Sequence, residues 1–331
     1  MNTSATRDPI QIEIQLIPLE STAKPPFDLA QLPVEMAPGV EVADVSSLLP
    51  PTEFEYLKAE VGRHQLRYFT STLKYGLVHR YEKSYTDETE ESKNKKELLN
   101  NAFCLLRLIR PHRRLGGVKG EIKNGKVSFG QTIFPHDTID VPEALKLFAV
   151  RNKDLEELRR LLPTFLKGMQ GPYWPFRMAV QYYYMGYEVN DWKGRYLYWG
   201  SSALHALYSH KEKKLIPRIK AFLGENTLIY EPKEHPDFEF LERNLLTIKD
   251  VLDDVNKVRN CIAHGDRIPD KYSSTGGGRL TLNGPVSFIT VLEDSLAFIV
   301  RESLLKILRD DLVEKFKSRQ ESSLFWRKMG L

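Results

Sequence analysis

Apolar residues along this chain recur with two different periods, and the change from one to the other outlines the fold. Ile10, Ile12, Ile14 and Leu16 alternate with polar residues, the period of a strand with one buried face. Residues 18–51 are rich in proline and show no clear period, so they read as an irregular wrap. Thr52-Glu-Phe-Glu55 is a capping box. It predicts a long helix through about Tyr81, with Leu57, Val61, Phe69, Leu73 and Leu77 on its apolar side. The charged run 86–96 reads as a solvated loop, and a helix near Glu97 to Arg110 ends at Pro111. Asn124-Gly125 stands between two short alternating runs within 118–134 and signals a hairpin. Helices near 142–150 and 153–162 follow, and Pro163 with the segment Gly168–Pro172 marks a boundary.

The second half shifts to a helical period. Its first part is crowded with aromatics: Tyr182, Tyr183, Tyr184, Tyr187, Trp192, Tyr196, Tyr198 and Trp199. Such rings stack on bases, but they also fill helical cores, and packing is the reading taken here. Further on, Ile248, Val251, Leu252, Val255, Val258 and Ile262 form one stripe at three- and four-residue spacing. Gly265 sits where a helix takes a left-handed residue, with Pro269 close behind. The glycine-rich run Tyr272 to Gly284 reads as a mobile loop able to close over a substrate.

Bulk properties narrow the class. The chain has 331 residues, 41% hydrophobic and 28% charged, with a net charge of +4. That is a globular composition, mildly basic and compatible with nucleic acid without being a polycation. Two cysteines, Cys104 and Cys261, argue against a disulfide scaffold and fit a reducing cytosol. Neither a signal peptide nor a bilayer-spanning run is evident, so a cytoplasmic protein with no membrane partner is expected.

The chemistry concentrates at the end of the stripe. Arg259 projects between Val255 and Ile262, and a charge in an apolar seam must be paired or face a cleft. His264 falls at the carbonyl end of the helix, which favours its protonated form. A fixed cation beside a proton-active imidazole suits phosphodiester chemistry. Arg259-Asn260-x-x-x-His264 resembles the Arg-(polar)-x3-His signature of the HEPN superfamily, helical domains found in many prokaryotic ribonucleases and defence proteins. The surroundings are similar to its ApeA-like branch. Leu197 to Tyr208 resembles the branch's Trp-containing helix, Lys214 to Leu223 its next short helix, and Ile289 to Leu312 its closing helix. His205 stands where the branch frequently has Glu. A second Arg-x4-His, Arg107 to His112, has Leu108 at the polar position and Pro111 breaking the helix, and is set aside.

Other motifs fail on their context. Gly120-x4-Gly125-Lys126 mimics a phosphate-binding loop, but Val127 replaces the hydroxyl residue and the glycines lie in a hairpin. Cys261 and His264 share a helical face without a second ligand pair, so no metal and no cofactor are expected.

These readings combine into a mainly α fold. Residues 1–170 are expected to form a mixed domain, mostly helical with a small hairpin or sheet, that senses a phage or host trigger. Residues 171–331 are expected to form a HEPN-like helix bundle. The resemblance implies a metal-independent endoribonuclease, acting as a toxin in anti-phage defence. Arg259 would hold the phosphate, His264 would move a proton, and Asn260 would orient substrate or histidine. In an ideal helix Arg259 and His264 point ~140° apart, so a homodimer is expected to complete the groove, with RNA as the partner. The alternative is a non-catalytic module that binds RNA, a nucleotide or a partner protein.

Overall fold

The structure is a computed structural model. It describes residues 10–16, 32–48, 51–52, 55, 75–82, 90–110, 119–123, 126–129, 150–170, 173–189, 191–208, 212–229, 246–273, 279–281, 284–286 and 288–331. The chain is mainly α-helical, with an antiparallel sheet in its N-terminal region. It divides into two compact units, Met1–Leu166 and Lys167–Leu331.

In the first unit the strands are β1 (Ile10–Leu16), β2 (Val34–Ala37), β3 (Val40–Asp44), β4 (Tyr75–Glu82), β5 (Lys119–Lys123) and β6 (Lys126–Phe129). They lie in the order β2-β3-β4-β1-β5-β6, and every pairing is antiparallel. The expected strand at 10–16 is β1. The expected hairpin is β5–β6, where Lys123 pairs with Lys126; Asn124 and Gly125 lie outside the described residues.

Three strands depart from the sequence reading. Tyr75–Glu82 is a strand, not the end of a helix reaching Tyr81. β4 is flanked by β3 and β1, and Leu77, Val78 and His79 are all buried. A strand covered on both faces loses the alternation that would mark it. Leu57, Val61, Phe69 and Leu73 lie outside the described residues. Part of the wrap read at 18–51 is also sheet: β2 and β3 turn at Gly39, whose φ of 84° suits glycine, and bury Met36, Val40 and Val42.

Helix α1 (Glu90–Ile109) packs on β4 and β1 through a face that includes Leu99, Phe103 and Leu106. It begins seven residues before the predicted Glu97, within the run read as a loop. Helix α2 (Asn152–Met169) keeps Pro163 inside it, so that proline ends nothing. The helix predicted at 142–150 lies outside the described residues.

The second unit holds α3 (Trp174–Glu188), α4 (Trp192–Tyr196), a π-helical segment (Leu197–Ala203), α5 (Leu204–Leu207), α6 (Glu212–Leu223), α7 (Ile248–His264), α8 (Asp270–Ser273), α9 (Phe288–Arg309) and α10 (Arg319–Lys328). α9 packs against α3, α6, α7 and the π segment, and α7 also lies on the π segment. Of the eight aromatics in the run, Tyr183, Tyr196 and Trp199 are buried and the other five are half-buried. Trp199 sits edge-on to Tyr187 at 5.2 Å and donates from Nε1 to the Tyr183 carbonyl at 3.0 Å. The described part of the run read as a mobile loop has secondary structure. Tyr272 is buried in α8, and β7 (Arg279–Thr281) pairs with β8 (Gly284–Val286). Among the described residues no helix is long and apolar enough to cross a membrane.

Candidate functional site

Helix α7 carries the Arg–Asn–His motif, and both of its ends are fixed by local chemistry. At the start, Thr247 and Asp250 form a capping box: Asp250 accepts from the Thr247 backbone at 2.8 Å and from its hydroxyl at 2.6 Å. These bonds, the hydroxyl's first, hold the Asp250 carboxyl below its ordinary value. Just upstream, Leu228 bridges to Thr247, and Ile248 donates to the Thr227 carbonyl at 3.0 Å. At the end, Gly265 takes φ 74°, Gly265 N–H bonds to Ile262 and Asp266 N–H to Cys261. That pair is a Schellman closure. His264 is therefore the last helical residue, with its side chain exposed.

The apolar stripe is buried as its spacing predicts, from Ile248 through Val258, and Arg259 is buried with it at 3% exposure. The guanidinium does not lie in hydrocarbon. Its Nη1 meets Nε2 of His205 at 2.5 Å, and its Nη2 donates to Oδ1 of the adjacent Asn260. The aliphatic stem lies on Gly200 of the π segment. A Cβ at Gly200 would stand 3.0 Å from Cγ and 3.1 Å from Cδ of Arg259, so a larger residue there would push the arginine stem by a few tenths of an ångström. Segment 197–207 thus touches the arginine twice, at its stem through Gly200 and at its head through His205.

Asn260 links this buried cation to the exposed end of the helix. It is half-buried, and it stands four residues before His264. Residues four apart share a helical face, with Cβ atoms ~5–6 Å apart. The ~140° between Arg259 and His264 is therefore spanned by Asn260: the guanidinium binds its amide oxygen, and the imidazole shares its face. The described geometry brings Asn260 and His205 onto Arg259 and leaves His264 on the solvent side.

After Gly265 the chain returns along α7. Tyr272 donates to Asp254 at 2.5 Å, and Lys271 reaches the same carboxylate oxygen at 3.1 Å. Lys271 also lies 4.4 Å from the centre of the Tyr272 ring. Burial and then the Asp254 bond raise the Tyr272 hydroxyl pKa. On another side, Arg195 of α4 pairs with the buried Glu293 of α9 and donates to the Val189 carbonyl at 2.9 Å. Burial first, then Glu293, pushes the neighbouring Tyr196 well above the ordinary phenol value. That hydroxyl stays neutral.

Sequence reasoning marked Arg259, Asn260, His264 and His205, but it did not see that His205 is the arginine's partner. Nor did it give Gly200 a role. Helical spacing relates residues within one helix, whereas His205 and Arg259 are 54 positions apart. The approach also uses a π turn that no local pattern announces. Among the described residues, no group of three or more His, Cys, Asp and Glu side chains is placed to hold a metal ion. No family model, curated protein or solved structure matches the chain.

Proposed function

We propose that this chain is a metal-independent endoribonuclease of the HEPN kind. The observation that supports this is the buried Arg259 guanidinium held by His205 and Asn260, with an exposed imidazole five residues on at the helix end. Both contacts hold the terminal nitrogens of the guanidinium in place. A buried cation behind a polar front attracts a phosphodiester and favours the charge that builds on its oxygens during cleavage.

In the proposed reaction the RNA 2′-hydroxyl attacks the adjacent phosphorus and the bond to the 5′-oxygen breaks. The products are a 2′,3′-cyclic phosphate and a free 5′-hydroxyl. His264 takes the 2′ proton or returns one to the leaving oxygen. Asn260 orients the phosphate, and Arg259 acts from behind it. A second copy of the chain would supply the complementary proton carrier, which is why a homodimer through residues 171–331 belongs to the proposal. A toxin role in phage defence, triggered through residues 1–170, extends it.

Burial of Arg259 favours a second reading, a helical module that binds RNA, a nucleotide or a protein without cleaving it. One experiment separates the two. Purified protein is incubated with RNA and a chelator, beside His264→Ala. His264 is exposed, so this variant keeps its fold, and the nuclease reading expects cleavage to fall by roughly 100-fold or more. Binding without cleavage by the wild type, or cleavage undiminished in His264→Ala, refutes it. Arg259→Ala is the weaker test, because opening a buried polar cluster costs on the order of 3 kcal/mol in stability.

A further inference from the structure

We infer that His205 is a positioning residue of this site: a neutral imidazole, protonated on Nδ1, that aims the Arg259 guanidinium. The inference rests on the proposed function only for its catalytic consequence.

The protonation state follows from the contact. A guanidinium has five N–H donors, no acceptor, and no neutral form at any relevant pH. At 2.5 Å from Nη1, Nε2 of His205 must therefore offer its lone pair. In an imidazolium both ring nitrogens carry protons, and two donors would face each other. His205 is accordingly neutral, and its proton sits on Nδ1.

The positioning follows from the anchoring. Nη1 is held by His205 and Nη2 by Asn260, so the guanidinium plane is fixed at both terminal nitrogens, from two separate segments. The stem is fixed as well, because Cγ and Cδ lie against Gly200, five residues before His205 on the same helical run. An imidazole performs this task without adding negative charge. A carboxylate at position 205 would hold the same fork but would set an anion where a phosphodiester must be attracted. The ligand class that this choice suits is a polyanion.

The test uses the full-length protein. Nitrogen NMR of histidine-labelled protein reads tautomer and charge directly, and His205→Gln identifies the His205 signals among the eight histidines. The expected result at neutral pH is a neutral ring with its proton on Nδ1. An imidazolium, or a proton on Nε2, overturns the inference whether or not RNA is cleaved. Steady-state cleavage then reads the consequence. His205→Ala frees one side of the fork and is expected to lower kcat roughly 100-fold, the cost of misplacing a catalytic group by about 1 Å. His205→Gln keeps a neutral acceptor and recovers most of that loss. His205→Glu keeps the fork but raises KM for RNA. Wild-type activity in His205→Ala overturns the positioning role. A wild type that never cleaves RNA, yet shows the Nδ1 tautomer, removes the nuclease reading and leaves the neutral His205–Arg259 contact standing.

Discussion

Gly186 is where the architecture under the site is most exposed to a single methyl group. A Cβ built there would overlap Nε1 of Trp199 and lie 2.5 Å from Cε2 and 2.8 Å from Cδ1. The indole has nowhere to retreat: Trp199 is fully buried, Tyr187 stands edge-on to it, and its Nε1 is bonded to the Tyr183 carbonyl. Gly186→Ala therefore forces the ring out of register. Overpacking a tight core costs ~1–3 kcal/mol, and stranding the indole N–H and the Tyr183 carbonyl adds ~1–3 kcal/mol. Replacing glycine in a helix returns at most ~1 kcal/mol. The net loss is about 3 kcal/mol, which for a domain of this size lowers Tm by about 6–12 °C. Thermal unfolding followed by tryptophan fluorescence and near-ultraviolet circular dichroism would record it. Trp199 lies in the π segment that ends just before His205, so if the chain is the proposed nuclease, RNA cleavage should fall in the same variant at temperatures where it remains folded. An unchanged or higher Tm would refute the packing argument.

Two further predictions concern hydrogen bonds elsewhere in the second unit. Tyr272→Phe removes the donor that ties the returning chain to Asp254 at 2.5 Å; hydrogen bonds to charged groups contribute ~1.5–3 kcal/mol, so amide exchange across residues 266–273 should accelerate, and unchanged exchange would show that the tie is idle. Glu314 is held by Lys167 at 2.7 Å and by the Tyr173 hydroxyl at 2.6 Å, and these bonds, Lys167 first, lower its pKa to about 2 from an ordinary 4.5. A folded-state value below the unfolded one stabilises the protein above the unfolded value, and that contribution is lost as pH falls from 4.5 through about 2. Carboxyl NMR should find the low midpoint, and Lys167→Ala should raise it toward the ordinary value; a midpoint near 4.5 in the wild type would contradict the pairing.

Local chemistry was legible in the sequence wherever one element carried its own explanation. The α7 stripe, its Gly265 ending and the Asn124-Gly125 hairpin needed only neighbours a few residues away. β4 was misread because its neighbours come from elsewhere. β3 and β1 flank it, so Leu77, Val78 and His79 are buried in succession, and the alternation that identifies a half-buried strand is gone. Pro163 was misread for a different reason. A proline costs a helix one hydrogen bond and some crowding, and α2 buries Leu158, Leu161, Leu162 and Phe165 around it. That burial outweighs a penalty of ~3 kcal/mol, since each such side chain contributes ~1.5–3 kcal/mol when removed from water.

The site divides along the same line. That Arg259 needs a partner could be read from its place in the stripe, because an apolar seam does not tolerate a bare cation. The identity of the partner could not, because it depends on a wider turn between Leu197 and Ala203. Single π turns recur at functional positions because they redirect the residues that follow them. In this chain Gly200 lies within the wider turn, against the arginine stem, and His205 follows it and meets the arginine head. A regular α-helix over the same residues would rotate one of these contacts away from α7. The π turn is thus what lets one short run grip both ends of a side chain, and it ties the fate of the cation to the packing of Trp199 and Gly186 beneath it.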